Sequence, residues 1–325
     1  MTLPVFPNLR LGVFNHVFTS SPSAAPQHPQ ESQPLVPSRM NRRAACAMLL
    51  AFASGCAGTK HTQRIALPSN NLLKAEQLQV VSDFKIERDH PVITDLKRLR
   101  MQISETLDLP LGTKPVVVYL FANELEYTQY LQTKFPNFPS RRAYFMETYG
   151  KDLSVYTWWG DQIQEDLRHE YTHGLLHAGL TNVPLWLDEG LAEYFEVGGA
   201  MPGQVNNEHA QLLVVGVQRG AWRPDLARLE YLEQVQDMKR ADYREAWAWV
   251  HFMLHSSPDT RMVLLEYLQE LRTNPEPGPL RERLIAVSPD LDQRLLVYVA
   301  GLNGPGRWNA SFPGSSKTTV RAVSQ

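Results

Sequence analysis

Asp166-Leu-Arg-His-Glu-Tyr-Thr-His-Gly-Leu-Leu-His177 is the stretch on which the reading of this chain turns. Around it, Ile163, Leu167, Tyr171, Gly174, Leu175 and Ala178 recur at helical spacing and form one apolar face. His169 and His173 fall on the opposite side. Residues four apart on a helix stand one above the other, so these two imidazoles can converge on a single ion. Glu170 is displaced around the helix. It can reach a water at that point without occupying a ligand position. Two neutral imidazoles and an adjacent carboxylate that takes a proton are what metal-assisted hydrolysis requires.

The next segment is Val183-Pro-Leu-Trp-Leu-Asp-Glu-Gly-Leu-Ala-Glu-Tyr-Phe-Glu196. Pro184 is placed to start a helix and Gly198-Gly199 to end it. The connection between the two helices is short, so they should be neighbours. Glu189 is then the expected third ligand, leaving a fourth position for water. Glu193, one turn on along the same face, is the rival ligand or else a partner that orients a ligating histidine. Gly190 would let another element approach closely. His177 lies eight residues from His169, about 12 Å along a helix axis, too far to share one ion with it. It is expected to be structural or cleft-lining. His251 and His255 are four apart in an apolar helix with no glutamate after His251, and are expected to pack. His90, at a helix start, is expected to be exposed.

Outward from this core the pattern alternates. Leu78 to Ile86 and Pro115 to Phe121 have strand character, the second a β-branched run. Pro91 to Leu107 carries helical periodicity with Asp89 as cap, and Asn123 opens a helix through Leu131. Ala143 to Tyr149 and Leu153 to Trp159 flank Gly150-Lys151-Asp152, a hairpin signal. Residues 76–160 therefore read as a small α/β lobe. From 161 to 302 strand signals fade, and helical patterns cover 162–178, 184–197, 207–219, 225–236, 241–255, 259–272 and 279–300. Residues 303–325 read as a loose tail.

The N-terminus reads differently. Residues 1–39 are rich in Pro, Ser and Gln and lack apolar periodicity, the composition of an unstructured or misassigned extension. Residues 40–56 hold a basic segment (Met40-Asn41-Arg42-Arg43), an apolar run (Ala44 to Ala53) and small residues before Cys56, in the order of a secretory signal. The run is too short to span a bilayer. Small residues preceding Cys56 resemble a bacterial lipobox, in which that cysteine becomes the lipidated first residue. Met40 is then the expected start, and residues 57–75 the expected tether. Removing residues 1–55 takes away four Arg and one Glu and leaves a net charge of −5.

Composition limits the alternatives. The 325 residues are 43% hydrophobic and 20% charged, with net charge −2. That is ordinary globular composition, not a multi-span membrane protein, and nothing in the charge steers toward nucleic acid. Two cysteines, Cys46 and Cys56, build neither a disulfide framework nor a cysteine zinc knuckle.

The pair of motifs, His-Glu-x-x-His over 169–173 and Trp-Leu-x-Glu-Gly-x-Ala-Glu-Tyr over 186–194, resembles the gluzincin metallopeptidases of the thermolysin and aminopeptidase N superfamily, closest to the bacterial peptidase MA-like families. The resemblance implies an α+β, zincin-like fold: an α/β lobe with an edge strand, a mainly helical lobe, and a cleft between them. It implies zinc held by His169, His173 and Glu189, with Glu170 as general base. Asp242 to Leu254 is similar to the aminopeptidase helix whose tyrosine stabilises the oxyanion. That role maps onto Tyr243, with Tyr231 as the alternative. In this superfamily an edge strand binds peptide backbone, and Leu153 to Trp159 is the candidate, with Trp158 and Trp159 as cleft residues. The sequence departs from aminopeptidase N in having only fifteen residues between His173 and Glu189, and in lacking the motif that captures a free amine. Aminopeptidase specificity is therefore not implied. The expectation is a zinc-dependent peptidase acting on peptides or proteins, anchored by lipid at Cys56 to the extracytoplasmic side of a bacterial envelope. A non-catalytic, metal-binding envelope protein that holds peptides or glycans in the same cleft is the alternative.

Overall fold

Val116-Val-Val-Tyr-Leu-Phe121 alternates its side chains between two apolar layers, and the sheet is built around it. In the computed structural model, which describes Arg10–Leu11 and residues 65–110, 112–148 and 152–302, this run is strand β4 (Val116–Phe121). It pairs in parallel with β3 (Leu78–Ser82) and β6 (Leu153–Trp158). β2 (Asn71–Ala75) pairs antiparallel with β3, and β5 (Ala143–Glu147) antiparallel with β6. The two-residue strand β1 (Arg10–Leu11) pairs with Met146 and Glu147 on the outer side of β5, giving the order β1-β5-β6-β4-β3-β2.

Val116, Val118, Leu120, Phe145 and Val155 point into the main core, beneath α1 (Pro91–Leu107) and α3 (Ile163–Gly179). The opposite face carries an aromatic layer under α2 (Glu124–Lys134), where Phe121, Tyr127, Tyr130, Tyr144 and Tyr156 meet. Behind α3 come α4 (Leu185–Glu196), α5 (Asn207–Gln218), α6 (Leu226–Glu230), α7 (Arg240–His255), α8 (Pro258–Glu270), α9 (Leu280–Val287) and α10 (Leu291–Ala300). The protein is thus a mixed α+β structure. One continuous core runs from the sheet to Val299, so the α/β and helical portions share their hydrophobic interior. Among the described residues no helix is long and apolar enough to cross a membrane.

Two glycines set the spacing of the central elements. A Cβ at Gly174 would lie 2.5 Å from Cγ1 of Val116, so its absence lets α3 sit directly on β4. A Cβ at Gly190 would lie 2.7 Å from the carbonyl oxygen of Ala246, and α4 and α7 cross in close contact there.

Several expectations need correction. Residues 57–75 do not form a tether throughout, because Asn71–Ala75 is strand β2. Its hairpin turn uses Glu76 at φ 56° in place of the glycine or asparagine that would have signalled it. Helix α1 is capped by His90, not Asp89: Nδ1 of His90 accepts from the amide of Val92 at 3.2 Å. His90 is accordingly half-buried, with its ring 5.2 Å from that of Trp159. The pattern over 225–236 forms helix only at Leu226–Glu230, followed by a single turn over Val235–Asp237. The pattern over 279–300 is two helices, because Pro289 forces Ser288 out of helical geometry. β6 is an interior strand between β5 and β4, so Leu153 to Trp159 cannot be an edge; β5 lies outside it and is covered by β1 only at Met146 and Glu147. Trp158 packs on Tyr127 and Trp159 on Phe84. The signal segment at 40–56, Cys46, Cys56 and the tail at 303–325 lie outside the described residues, as do residues 1–39 apart from Arg10–Leu11.

Candidate metal centre

α3 is buried on two sides. Leu167, Tyr171 and Leu175 meet the core, and His169, Glu170 and His173 face α4 and β5, all three fully buried. The helix is held in place by Arg168. Its Nε donates to the carbonyls of Phe195 (2.8 Å) and Glu196 (3.1 Å) at the end of α4. Its Nη1 donates to Asp95 (3.1 Å) and its Nη2 to Gln102 (3.2 Å), both on α1. This buried cation therefore fixes the register between three helices.

α3 and α4 together bring the predicted residues to one point. Nε2 of His169 lies 3.5 Å, and Nε2 of His173 3.6 Å, from Oε2 of Glu189. One donor atom from each of the three can be chosen so that all fall within 4.8 Å of one another. Tetrahedral zinc with bonds of ~2.0–2.1 Å sets its ligand atoms about 3.3 Å apart, so these separations fit the ion with small rotamer adjustments. The donor chemistry fits as well. Both oxygens of Glu189 and Nε2 of His173 are shielded from solvent without a hydrogen-bond partner. Buried polar groups are rarely left so without a further ligand.

Carboxylates stand behind both imidazoles. Nδ1 of His169 is 3.1 Å from Oε2 of Glu196, and Nδ1 of His173 is 3.0 Å from Oδ2 of Asp188, somewhat off the ideal hydrogen-bond line. Such contacts hold each ring's orientation, with Nε2 directed toward Glu189. The contact that orients His169 is thus made by Glu196, with Asp188 doing the same for His173. Glu193, expected for that role, pairs instead with Nε2 of His209 at 2.7 Å while lying beside Glu196. His169, Glu193 and Glu196 form a second group of close donors, but there His169 Nδ1 already has its carboxylate. Glu189, Glu193 and Glu196 recur at i, i+4 and i+7, so the helical spacing of α4 could have revealed Glu196. Asp188 left only adjacency to Glu189 as a signal.

His177 extends the network without approaching the ion position. Its Nε2 lies 3.0 Å from Asp188 and its Nδ1 2.8 Å from Glu147 of β5. A chain of contacts thus runs from β5 through His177 and Asp188 to His173. Phe145 of β5 lies over the same ring, its centroid 5.9 Å from that of His173. His251 and His255 are elsewhere, packed among Tyr194, Trp247 and Tyr298.

Electrostatics follow from burial and neighbours. Burial pushes Glu170 up to about 7, opposed by His173, Arg141 and the Phe145 amide. Burial likewise lifts Glu189 far above the usual carboxylate range, with His173 opposing. For His173 burial disfavours the charged form, yet Asp188, Glu189 and Glu170 raise it to about 10. Burial opposes charge on Asp188 too, but His173 and His177 on either side hold it well below the usual range. Tyr243, at the start of α7, has a buried hydroxyl with no partner and is pushed far up by burial and by nearby Glu189. The alternative, Tyr231, is 86% exposed and lies in a surface groove with Pro277 and Arg281.

Because Asp188 lies between His173 and His177 and contacts the imidazole of each, Asp188→Asn is expected to weaken metal binding about 10–100-fold with the fold intact. Competition of wild type and variant against a metal-sensitive dye measures it. No protein-family model matches this chain, and no curated protein matches it.

Proposed function

We propose that this chain is a zinc-dependent peptidase with the zincin-like arrangement of the gluzincins. The observation that carries the reading is the buried triad of His169, His173 and Glu189, with 3.5 and 3.6 Å separations and Glu170 beside it. Two imidazoles and one carboxylate suit zinc better than magnesium or calcium. An ion held by these three residues supplies Lewis acidity that eases ionisation of water and polarises a carbonyl.

The chain's own residues do the rest. Glu170, with its carboxyl near neutrality, accepts the proton of the attacking water and returns it to the leaving amine. The Tyr243 hydroxyl donates to the oxygen that gains charge as the carbonyl becomes tetrahedral. β5 supplies the docking edge. β1 pairs only with Met146 and Glu147, so Ala143 to Phe145 have no strand partner on their outer side among the described residues. An extended peptide added there runs past Phe145, the residue stacked on His173. Lipid anchoring through Cys56 at a bacterial envelope belongs to the same proposal and rests on residues 40–56 alone.

Metal analysis together with a peptide-pool digest tests the reading. Purified chain is expected to hold about one zinc and to cleave pool members, losing activity to chelator and regaining it with zinc. A chain that binds no zinc on reconstitution, or binds it and cleaves nothing in a diverse pool, overturns the peptidase assignment.

A further inference from the structure

Arg141 stands where the chain enters β5, and nothing in the chemistry above uses it for substrate. Its backbone carbonyl accepts from the Tyr127 hydroxyl at 2.9 Å, and its guanidinium carbon lies 5.6 Å from the Tyr144 ring centroid. The neighbouring Arg142 is engaged, its Nε donating to Asp166 at 2.9 Å and its Nη2 to Glu165 at 3.1 Å. Arg141 differs. Its Nε and Nη1 are shielded from solvent but meet no acceptor, and it forms no ion pair among the described residues. The strand it leads into runs past the centre: Phe145, four residues on, stacks with its ring centroid 5.9 Å from that of His173.

A guanidinium with idle, desolvated donors is costly unless an anion meets it. The planar donor array matches the two oxygens of a carboxylate. A substrate carboxylate can supply that anion, and among the described residues Arg141 has no carboxylate partner of its own. Resting on the peptidase reading, we propose that Arg141 is a specificity residue that binds a carboxylate of the substrate. That group is the terminal carboxylate of a short peptide or an acidic side chain close to the scissile bond.

Zinc-loaded full chain is to be assayed with N-acetylated peptide pools: one ending in a free carboxylate, the same pool amidated, and amidated pools with Glu or Gln fixed internally. The expected result is a kcat/KM about 10–100-fold higher for the charged member of one pair. Preference in the acid–amide pair identifies the terminal group; preference in the Glu–Gln pair identifies the side chain. Arg141→Met is expected to bring that ratio to about one by slowing only the charged substrates, and Arg141→Lys to keep part of it. Calorimetry with N-acetyl-trialanine, its amide, and the Glu and Gln versions of that amide on the Glu170→Gln variant provides a readout independent of turnover. Equal handling of charged and neutral peptides in both measurements overturns the inference while leaving a peptidase. So does an Arg141→Met variant that slows every substrate alike. Absence of cleavage, with a binding preference that disappears in Arg141→Met, overturns the peptidase reading and leaves the carboxylate site.

Discussion

Glu170→Gln is expected to lower kcat/KM about 10²–10⁴-fold while leaving zinc content and circular dichroism unchanged. Glutamine fills the same volume in a fully buried position, so packing is preserved. It cannot accept a proton from water, so the loss appears in kcat and much less in KM. The size of the effect depends on where Glu170 sits. It is beside the two histidines but outside the group of donor atoms formed with Glu189, which leaves it free for proton transfer. A variant that retains activity within tenfold of wild type would falsify its role as general base. A protein that binds peptides without cleaving them would show the same binding before and after this substitution.

The second large effect concerns the ligand set. Glu189→Gln is expected to abolish stoichiometric zinc binding, yet to change the stability of the metal-free protein by less than about 1 kcal/mol. Burial raises the Glu189 carboxyl and so favours its neutral form in the metal-free protein, and a neutral amide of the same shape fills the same buried space. With zinc the two proteins separate. Zinc at 100–1,000 times its dissociation constant stabilises the wild type by about 2.7–4.1 kcal/mol. For a folded unit of this size that is a rise in Tm of about 5–15 °C. The variant gains almost nothing. Thermal melts of both proteins, with zinc and with chelator, give all four values. Equal zinc-induced shifts in the two proteins would exclude Glu189 as a ligand.

How much was legible in the sequence depends on the range of the signal. Periodicity placed α1 at Pro91–Leu107 and put the boundaries of α3 and α4 within a residue or two, because each has an apolar stripe and a breaker at its end. The i, i+4 pair at His169 and His173 and the Glu189 that meets them were readable for the same reason. Strand order was not readable. Nothing local in Ala143–Glu147 says that it lies outside β6, so the sequence does not show that β6 is an interior strand. β2 was missed because its turn relies on Glu76 at positive φ, a conformation carried by the fold and not by residue type. The carboxylates behind the histidines were obscured because a helix wheel shows which side a residue faces, not what meets it there. Arg141 was invisible for a related reason: an arginine beside another arginine looks like surface charge until one is seen paired and the other idle.

The Arg168 clamp has a bearing on dissecting the molecule. The sequence suggested two lobes with a boundary near residue 160, inviting expression of the histidine-bearing half as a minimal enzyme. Such a fragment would carry Arg168 without Asp95 and Gln102, stranding a cation in an apolar interior, and would strip α3 of the strand it rests on. Excision at that boundary would yield an aggregating polypeptide, not a smaller catalyst, and engineering of this scaffold has to keep α1 and the sheet.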